Sequence, residues 1–167
     1  MSLHYLIGSA LDPIKKPAII PHVCNNIGAF GAGFVVPLGK LYPKAKAAYR
    51  RWFQEENQEL GAVQFVKVSE DVVVANMIGQ EGIGRGKDGR PPIRYEAVEQ
   101  CLVSVYKYAQ NSCPKGVTIH APRFGSKLAG GDWKEIEKII LKTMTVETYI
   151  YTLPNETHMW SETYENG

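Results

Sequence analysis

The alternation of apolar strands with amphipathic helices is the feature that most restricts how this chain of 167 residues folds. Two of the strands, 18–24 (AIIPHVC) and 72–78 (VVVANMI), are apolar on both faces, which is typical of a sheet that is covered on both sides. The strand 62–68 is joined to 72–78 by the short segment SED, which favours an antiparallel hairpin. We therefore predict an α/β fold with a mixed sheet.

Periodicity and turn residues place the remaining elements. The predicted strands are 4–8, 18–24, 62–68, 72–78, 117–123 and 147–153. Helices are predicted from Gly33, after Pro43, from about Val98 to Ala109, and from about Trp133 to Ile140. Because the sequence has no internal repeat and no linker, we predict one domain, residues 1–167, with a core at about 4–153 and a C-terminal tail at 154–167.

Composition restricts the compartment and the partners. The 19 basic and 17 acidic residues give a net charge of +2, so we expect no binding to bulk nucleic acid. No apolar run approaches the ~20 residues that a membrane span needs, and the N-terminus lacks the pattern of a signal peptide. An odd number of cysteines, Cys24, Cys101 and Cys113, favours reduced thiols in an intracellular, cytoplasmic protein. His4, His120 and His158 show no metal-ligand spacing, so we predict no metal.

The stretch PHVCNNIGAFGAGF, residues 21–34, joins a predicted strand to a predicted helix through three glycines, Gly28, Gly31 and Gly33. Backbone N–H groups at such a junction are free to bind an anion, and glycine lets a phosphate approach closely. The glycine spacing reverses that of the dinucleotide fingerprint, and no acidic residue follows at the expected distance. A flexible corner with close helix–sheet packing is the alternative interpretation of this loop.

A second loop has the same layout. In PRFGSKLAGGDW the strand ends, and Gly125, Ser126, Gly130 and Gly131 precede a helix. Two such loops at the carboxyl ends of strands would line one crevice. Two loops that each present backbone N–H groups suit a ligand with two phosphates, such as a nucleotide sugar with its diphosphate.

The quoted loops, together with VVVANMIGQ and PPIRYEAV, resemble the macrodomain family. The resemblance covers about residues 4–153, is strongest to the "Appr-1-p processing" branch, and is weaker to the terminal ADP-ribose glycohydrolase group. It implies a three-layer α/β/α fold with a mixed central sheet. It also implies ADP-ribose, or an ADP-ribosylated substrate, as the partner and no cofactor.

The resemblance implies the following roles in ligand binding. Asn25 would hold the distal ribose or the group on its C1″ atom. The residues expected near adenine are Ile7, Gly8 and Ser9. The residues expected around the diphosphate and distal ribose are Gly31, Ala32, Gly33, Phe34, Arg123, Phe124, Gly125, Ser126, Lys127, Leu128 and Ala129.

Three side chains are candidates for catalysis. Asn25 directly precedes the glycines, where it would orient a leaving group or a water. His22 resembles a histidine proposed as catalytic in a yeast phosphatase relative, but strand alternation aims residues 22 and 25 to opposite faces unless the chain bends. Asp132 has Glu135 three residues on, which is the layout of a helix N-cap, and is otherwise an acid–base candidate.

The sequence also departs from the family pattern. Many macrodomains have Gly-Asp after the first strand, with the aspartate on the adenine amino group, and this chain has Gly8-Ser9. The lysine and aspartate of the glycohydrolase group align with Gln80 and Ala129, which argues against a Schiff-base route.

We therefore expect a protein that binds ADP-ribose and processes a derivative, such as ADP-ribose 1″-phosphate or an ADP-ribosyl or acetyl adduct. The alternative is a non-catalytic reader of ADP-ribose, and a nucleotide-cofactor oxidoreductase ranks last. The sequence does not predict the oligomeric state.

Overall fold

A computed structural model describes residues 1–56, 58–111, 114–127 and 129–165. The strands are β1 (Leu3–Ile7), β2 (Ala18–Asn25), β3 (Val63–Ser69), β4 (Val72–Gln80), β5 (Thr118–Pro122) and β6 (Thr148–Thr152). They form one sheet in the order β1-β6-β5-β2-β4-β3. Each neighbouring pair is parallel except β3 and β4, which are antiparallel. The mixed sheet and the β3–β4 hairpin are as the sequence predicts.

Helices cover the sheet on both faces. They are α1 (Val35–Leu41), α2 (Pro43–Glu55), α3 (Tyr95–Asn111) and α4 (Trp133–Thr143), followed by a 3-10 helix at Pro154–Met159. Pro43 stands at the first position of α2, where its missing N–H leaves no hydrogen bond unmade. The three-layer α/β/α architecture is confirmed.

The central strand β4 shows how one sequence serves two cores. Val73, Ala75 and Met77 pack into the cluster that α3 and α4 share. Val74 and Ile78, which alternate with them, pack into a second cluster beneath α1 and α2. Because successive side chains of a strand point to opposite faces, a strand buried on both sides is mostly apolar on both, and the buried Asn76 of β4 is satisfied by hydrogen bonds with His22 and Gln64.

The segment that follows β6 differs from the expected tail. Its described part, residues 154–165, returns across the sheet, and Glu165 N donates a hydrogen bond to Tyr5 O at 2.8 Å. Glu162 pairs with the buried Arg123, a contact between residues too distant in sequence for local patterns to reveal. No helix among the described residues is long and apolar enough to cross a membrane.

Candidate functional site

A cavity of about 600 Å³ opens at the carboxyl ends of the parallel strands. Ligand sites for small molecules have volumes of roughly 300–1,000 Å³. Both small-residue loops contribute to its wall, the first through 31–34 and the second through residues 123–125, 127 and 129. The structure therefore brings the two loops together at one cavity.

Asn25 organises the first loop through its side chain. Its Oδ1 atom accepts hydrogen bonds from Ile27 N at 3.1 Å and Ala29 N at 3.0 Å. Its Nδ2 atom donates to Ala29 O at 2.7 Å. An amide nitrogen carries two hydrogens, so one N–H of Asn25, which lines the cavity, has no partner among the described residues.

Tyr49 on α2 holds Asn25 in place through hydrogen bonds. The hydroxyl lies 2.6 Å from Asn25 O and 3.0 Å from Asn25 Oδ1, so its one proton is shared between them. Burial raises the pKa of Tyr49 well above its ordinary value, and the hydroxyl stays a donor at neutral pH. The sequence placed Tyr49 in the core by its spacing but gave no signal for this contact.

His22 is a buried, neutral imidazole beside the cavity. Its Nε2 atom lies 2.6 Å from Asn76 Oδ1. Because an amide oxygen only accepts, Nε2 carries the proton and Nδ1 the lone pair. Burial lowers the pKa of His22 to about 4, although the hydrogen bond to Asn76 opposes this.

His22 and Asn25 both line the cavity, although strict alternation would separate them. The register of β2 against β4 shifts between Cys24 and Asn25: Cys24 pairs with Ile78, and Asn25 pairs with Gln80. Such an irregularity re-aims side chains at a strand end. This register shift is the bend that residues 22 and 25 need in order to face the same cavity.

The second loop closes tightly on itself. Gly131 N donates to Gly125 O at 2.7 Å, and a Cβ atom on Gly131 would overlap that carbonyl oxygen. Gly130 has a φ of +72°, and a Cβ there would lie 2.7 Å from Pro91 Cβ. Glycine is therefore required at both positions.

Arg123 connects this loop to the C-terminal segment. Its guanidinium makes a two-pronged pair with Glu162, at 2.9 and 3.0 Å, and Nε donates to Thr152 Oγ1 at 2.8 Å. The Cζ atom of Arg123 lies 4.1 Å from the centroid of the Trp160 ring. Although partial burial opposes it, this pairing holds the pKa of the Glu162 carboxyl below its ordinary value. Arg123 lines the cavity, but its side chain is engaged in holding the chain's end.

The C-terminal segment forms one wall of the cavity. Leu153, Glu156 and Trp160 line it, and Glu156 forms an ion pair with Lys127 of the second loop. The indole N–H of Trp160 is buried without a hydrogen-bond partner in the described structure. The sequence did not identify Glu156 and Trp160 as cavity-wall residues, or Glu162 as the partner of Arg123, because each acts across a long sequence separation.

The other expected residues of the second loop are positioned as follows. Phe124 lines the cavity and packs edge-on against Trp133. Ser126 is not among the lining residues, and its hydroxyl donates to Arg123 O at 2.7 Å. Ala129 lines the cavity, whereas Leu128 lies outside the described residues.

Gly8 and Ser9 line the cavity beyond β1. The Ser9 hydroxyl accepts a hydrogen bond from Leu11 N at 3.1 Å. Ile7, expected beside them, is 52% exposed and is not among the lining residues. Phe34, on the first loop, packs against the His22 ring at 5.7 Å between centroids.

Asp132 lies away from this cavity. Its carboxylate accepts a hydrogen bond from Lys134 N at 3.0 Å and caps α4. It borders a separate depression with Trp133 and His158. These contacts support the capping role of Asp132, and its role in catalysis stays a prediction.

The glycine-rich loop 81–92 borders the cavity through Ile83, next to Gln80. Asn26 Oδ1 accepts a hydrogen bond from Gly82 N at 2.8 Å, which fixes this loop to the first one. Arg85 donates to Gly89 O within the same loop. Within the described ranges, no group of three or more His, Cys, Asp or Glu side chains could hold a metal ion.

A macrodomain protein from Streptomyces coelicolor has a solved structure that is 38% identical in sequence, with a TM-score of 0.75, and the match covers 90% of this chain and 99% of that one. The chain belongs to the macrodomain family. No protein-family model matches the sequence.

Other relatives of this macrodomain are similar over most of its length. A protein of unknown function from Bacteroides thetaiotaomicron is 40% identical, with a TM-score of 0.84 over 91% of this chain and 99% of that one. The ADP-ribose 1″-phosphate phosphatase of Candida albicans is 18% identical over 142 residues, 84% of this chain and 91% of that protein. DarTG from Thermosipho africanus, in complex with ADP-ribose, is 16% identical, with a TM-score of 0.63 over 83% of this chain and 38% of that one.

Proposed function

We propose that this macrodomain binds ADP-ribose in the cavity between its two small-residue loops. The observation that carries the proposal is the convergence of both loops on one volume of about 600 Å³. Backbone N–H groups presented from two sides suit the two phosphates of a diphosphate. The complex of a distant macrodomain-containing relative with ADP-ribose supports the same ligand.

In the proposed pose, each part of ADP-ribose lies against a different part of the cavity wall. The diphosphate lies between residues 31–34 and residues 125–127 and 129 of the second loop, and the distal ribose lies at Asn25, whose remaining N–H is free to donate. The adenine lies toward Gly8 and Ser9. Ile7 has no contact with the ligand in this pose.

The proposed activity is removal of the 1″-phosphate from ADP-ribose 1″-phosphate. Two curated relatives that carry the name of this phosphatase, at 18% and 20% identity, support it. Water would attack phosphorus, the bond to the ribose O1″ atom would break, and a proton would pass to O1″, leaving ADP-ribose and inorganic phosphate. Positioning and fixed dipoles would supply the rate enhancement. His22 is the group to test for proton transfer, and removal of ADP-ribosyl or acetyl groups would use the same site.

A second candidate function, a reader that binds ADP-ribose without turnover, is favoured by the state of the ionisable groups. Arg123 is paired with Glu162, Lys127 with Glu156, and His22 is bound to Asn76. The two cations are held in ion pairs and the N–H of His22 is bound to Asn76, which leaves the Nδ1 lone pair of His22, 3.8 Å from Cys24 Sγ, as the one basic position among the three.

Calorimetric titration with ADP-ribose, beside ADP and NAD, tests the binding proposal. We expect ADP-ribose to bind with a Kd of about 1–100 μM and more tightly than either control. Tighter binding of NAD would favour the oxidoreductase alternative, and absence of binding would overturn the proposal.

Release of phosphate from ADP-ribose 1″-phosphate separates the enzyme from the reader. Turnover by the wild type that is lost in a folded Asn25→Ala variant supports the enzyme. Binding without turnover of phosphorylated, acetylated or ADP-ribosylated substrates supports the reader.

A further inference from the structure

The charge of this protein is distributed unevenly along the chain. Residues 13–54 contain seven of the 19 basic residues and none of the 17 acidic ones. The net charge of +2 therefore conceals a strongly basic segment that the acidic remainder offsets. This segment includes the first loop, α1 and α2.

Five of these cations lie on α1 and α2, and we name them the basic face: Lys40, Lys44, Lys46, Arg50 and Arg51. Lys46 is partly buried and the other four are exposed. In the described structure none of the five has a carboxylate oxygen within 4.0 Å.

Seven of the cations elsewhere in the described structure have a carboxylate partner. Arg94 pairs with Glu81, and Lys142 on α4 pairs with Glu99 on α3. An ordinary solvated surface mixes both signs of charge, as these helices do. The absence of any acidic residue from the sequence of α1 and α2 until Glu55 distinguishes the basic face.

The basic face adjoins the cavity. Val35 and Pro37 of α1 line the cavity, and Lys40 follows Pro37 by about one helical turn. From Lys44 to Arg51 the helix α2 rises by about 10 Å. A chain molecule that crossed this face would pass beside the cavity mouth.

We propose that the basic face binds the phosphodiester backbone of a nucleic acid. Lysine and arginine both bind phosphate oxygens well, and phosphates repeat about every 3.4 Å along one strand of DNA. Lys44 and Arg51 are seven residues apart, so they lie on one side of α2 about 10 Å apart along its axis, which matches about three phosphate intervals. The expectation of no nucleic-acid binding was based on net charge alone and did not consider its distribution.

The face and the cavity are separable. Binding of a nucleic-acid backbone to the basic face needs no ligand in the cavity, so this proposal stands even if the cavity does not bind ADP-ribose. That the face would present a nucleic acid carrying ADP-ribose to the cavity is a consequence that rests on the proposed function.

Fluorescence polarisation with a labelled oligothymidylate of about 12 nucleotides, at about 50 and 200 mM salt, tests the proposal. The variant Lys44→Glu/Arg51→Glu reverses two charges on the basic face. The control Lys107→Glu/Lys115→Glu makes the same charge change at exposed positions on and after α3, which packs on the opposite face of the sheet.

We expect the first variant to bind the oligonucleotide at least about tenfold more weakly than the wild type at the lower salt, and the control to stay within about twofold. The slope of log K against log salt should flatten by about 1.4 in the first variant, since each lost phosphate contact removes about 0.7. A duplex of equal length shows which form of nucleic acid the face prefers.

Three results would overturn the proposal: no binding at the lower salt, equal losses in the two variants, or equally strong competition by polyglutamate of matched charge. The last result would assign the face to acidic proteins. Titration of the Lys44→Glu/Arg51→Glu variant with ADP-ribose keeps the two proposals distinguishable, because we expect its affinity for ADP-ribose to match that of the wild type.

Discussion

The two walls of the cavity are built in different ways. The first loop is held by a side chain of its own, Asn25, which bonds to main-chain groups two and four residues ahead. The second loop closes on itself through Gly131 N and Gly125 O, but it is also tied to the C-terminal segment, through Arg123 to Glu162 and Lys127 to Glu156. Ion pairs to the chain's end therefore support the second wall and not the first.

This difference has consequences for stability. Local side-chain bonds to the backbone form wherever the local sequence permits them. Contacts across about 30–40 residues close a longer loop of chain, which costs more conformational entropy than a local contact does. We expect the second wall to be the more sensitive to remote substitutions.

The largest effect is expected from Gly131→Ala. The new Cβ atom would overlap the carbonyl oxygen of Gly125, which is backbone and cannot rotate away. We expect a loss of about 3 kcal/mol in the free energy of unfolding, measured with urea. Gly31→Ala in the first loop is the control, since nothing lies within 4 Å of a Cβ there, and its change should stay within about 0.5 kcal/mol. Equal losses at the two positions would contradict the tight closure of the second loop on itself.

The next effect concerns the pair of Arg123 and Glu162. Arg123→Gln should cost about 2–3 kcal/mol, because it leaves a partly buried carboxylate without its partner. A double-mutant cycle with Glu162→Gln should give a coupling energy of about 1–2 kcal/mol. Additive losses would show that the pair does not hold the second wall.

Asn25→Ala removes the hydrogen bonds that organise the first loop, and we expect a loss of about 2 kcal/mol in unfolding free energy. Asn25→Asp keeps an oxygen at the accepting position but removes both N–H groups. This variant should be the more stable of the two, and ADP-ribose should still bind it less tightly than the wild type. Equal stability of the two variants would refute the local organisation of this loop.

A smaller, pH-dependent effect is expected from His22, whose pKa in the folded protein is about 4, against about 6.5 when unfolded. Between these values the unfolded chain binds more protons, so the stability that neutral His22 contributes declines as pH falls. The stability difference between the wild type and His22→Gln should shrink by about 2 kcal/mol from pH 7 to pH 5. A difference independent of pH would show that His22 titrates normally.

Much of the fold was predictable because its signals are local. The apolar strands 18–24 and 72–78 lie within two residues of their predicted bounds, and the periodic helices lie within three. The convergence of the two loops followed from placing both at carboxyl ends of strands in one sheet. The partner of Arg123 did not follow, because no pattern near Arg123 points to Glu162.

The position of His22 was predictable only in part. Alternation along β2 was visible in the sequence, but the register shift after Cys24 arises from the pairing with β4, which the sequence of β2 does not contain. The basic face was not predicted, because the total charge conceals a segment, residues 13–54, that is free of acidic residues.

The central claim is that both walls hold one ligand, and backbone amide NMR during a titration with ADP-ribose tests it most directly. The account predicts that the amide signals of residues 31–34 and of 125–127 shift together, with a single Kd. Shifts confined to one loop, or two sets of shifts with different Kd values, would contradict it.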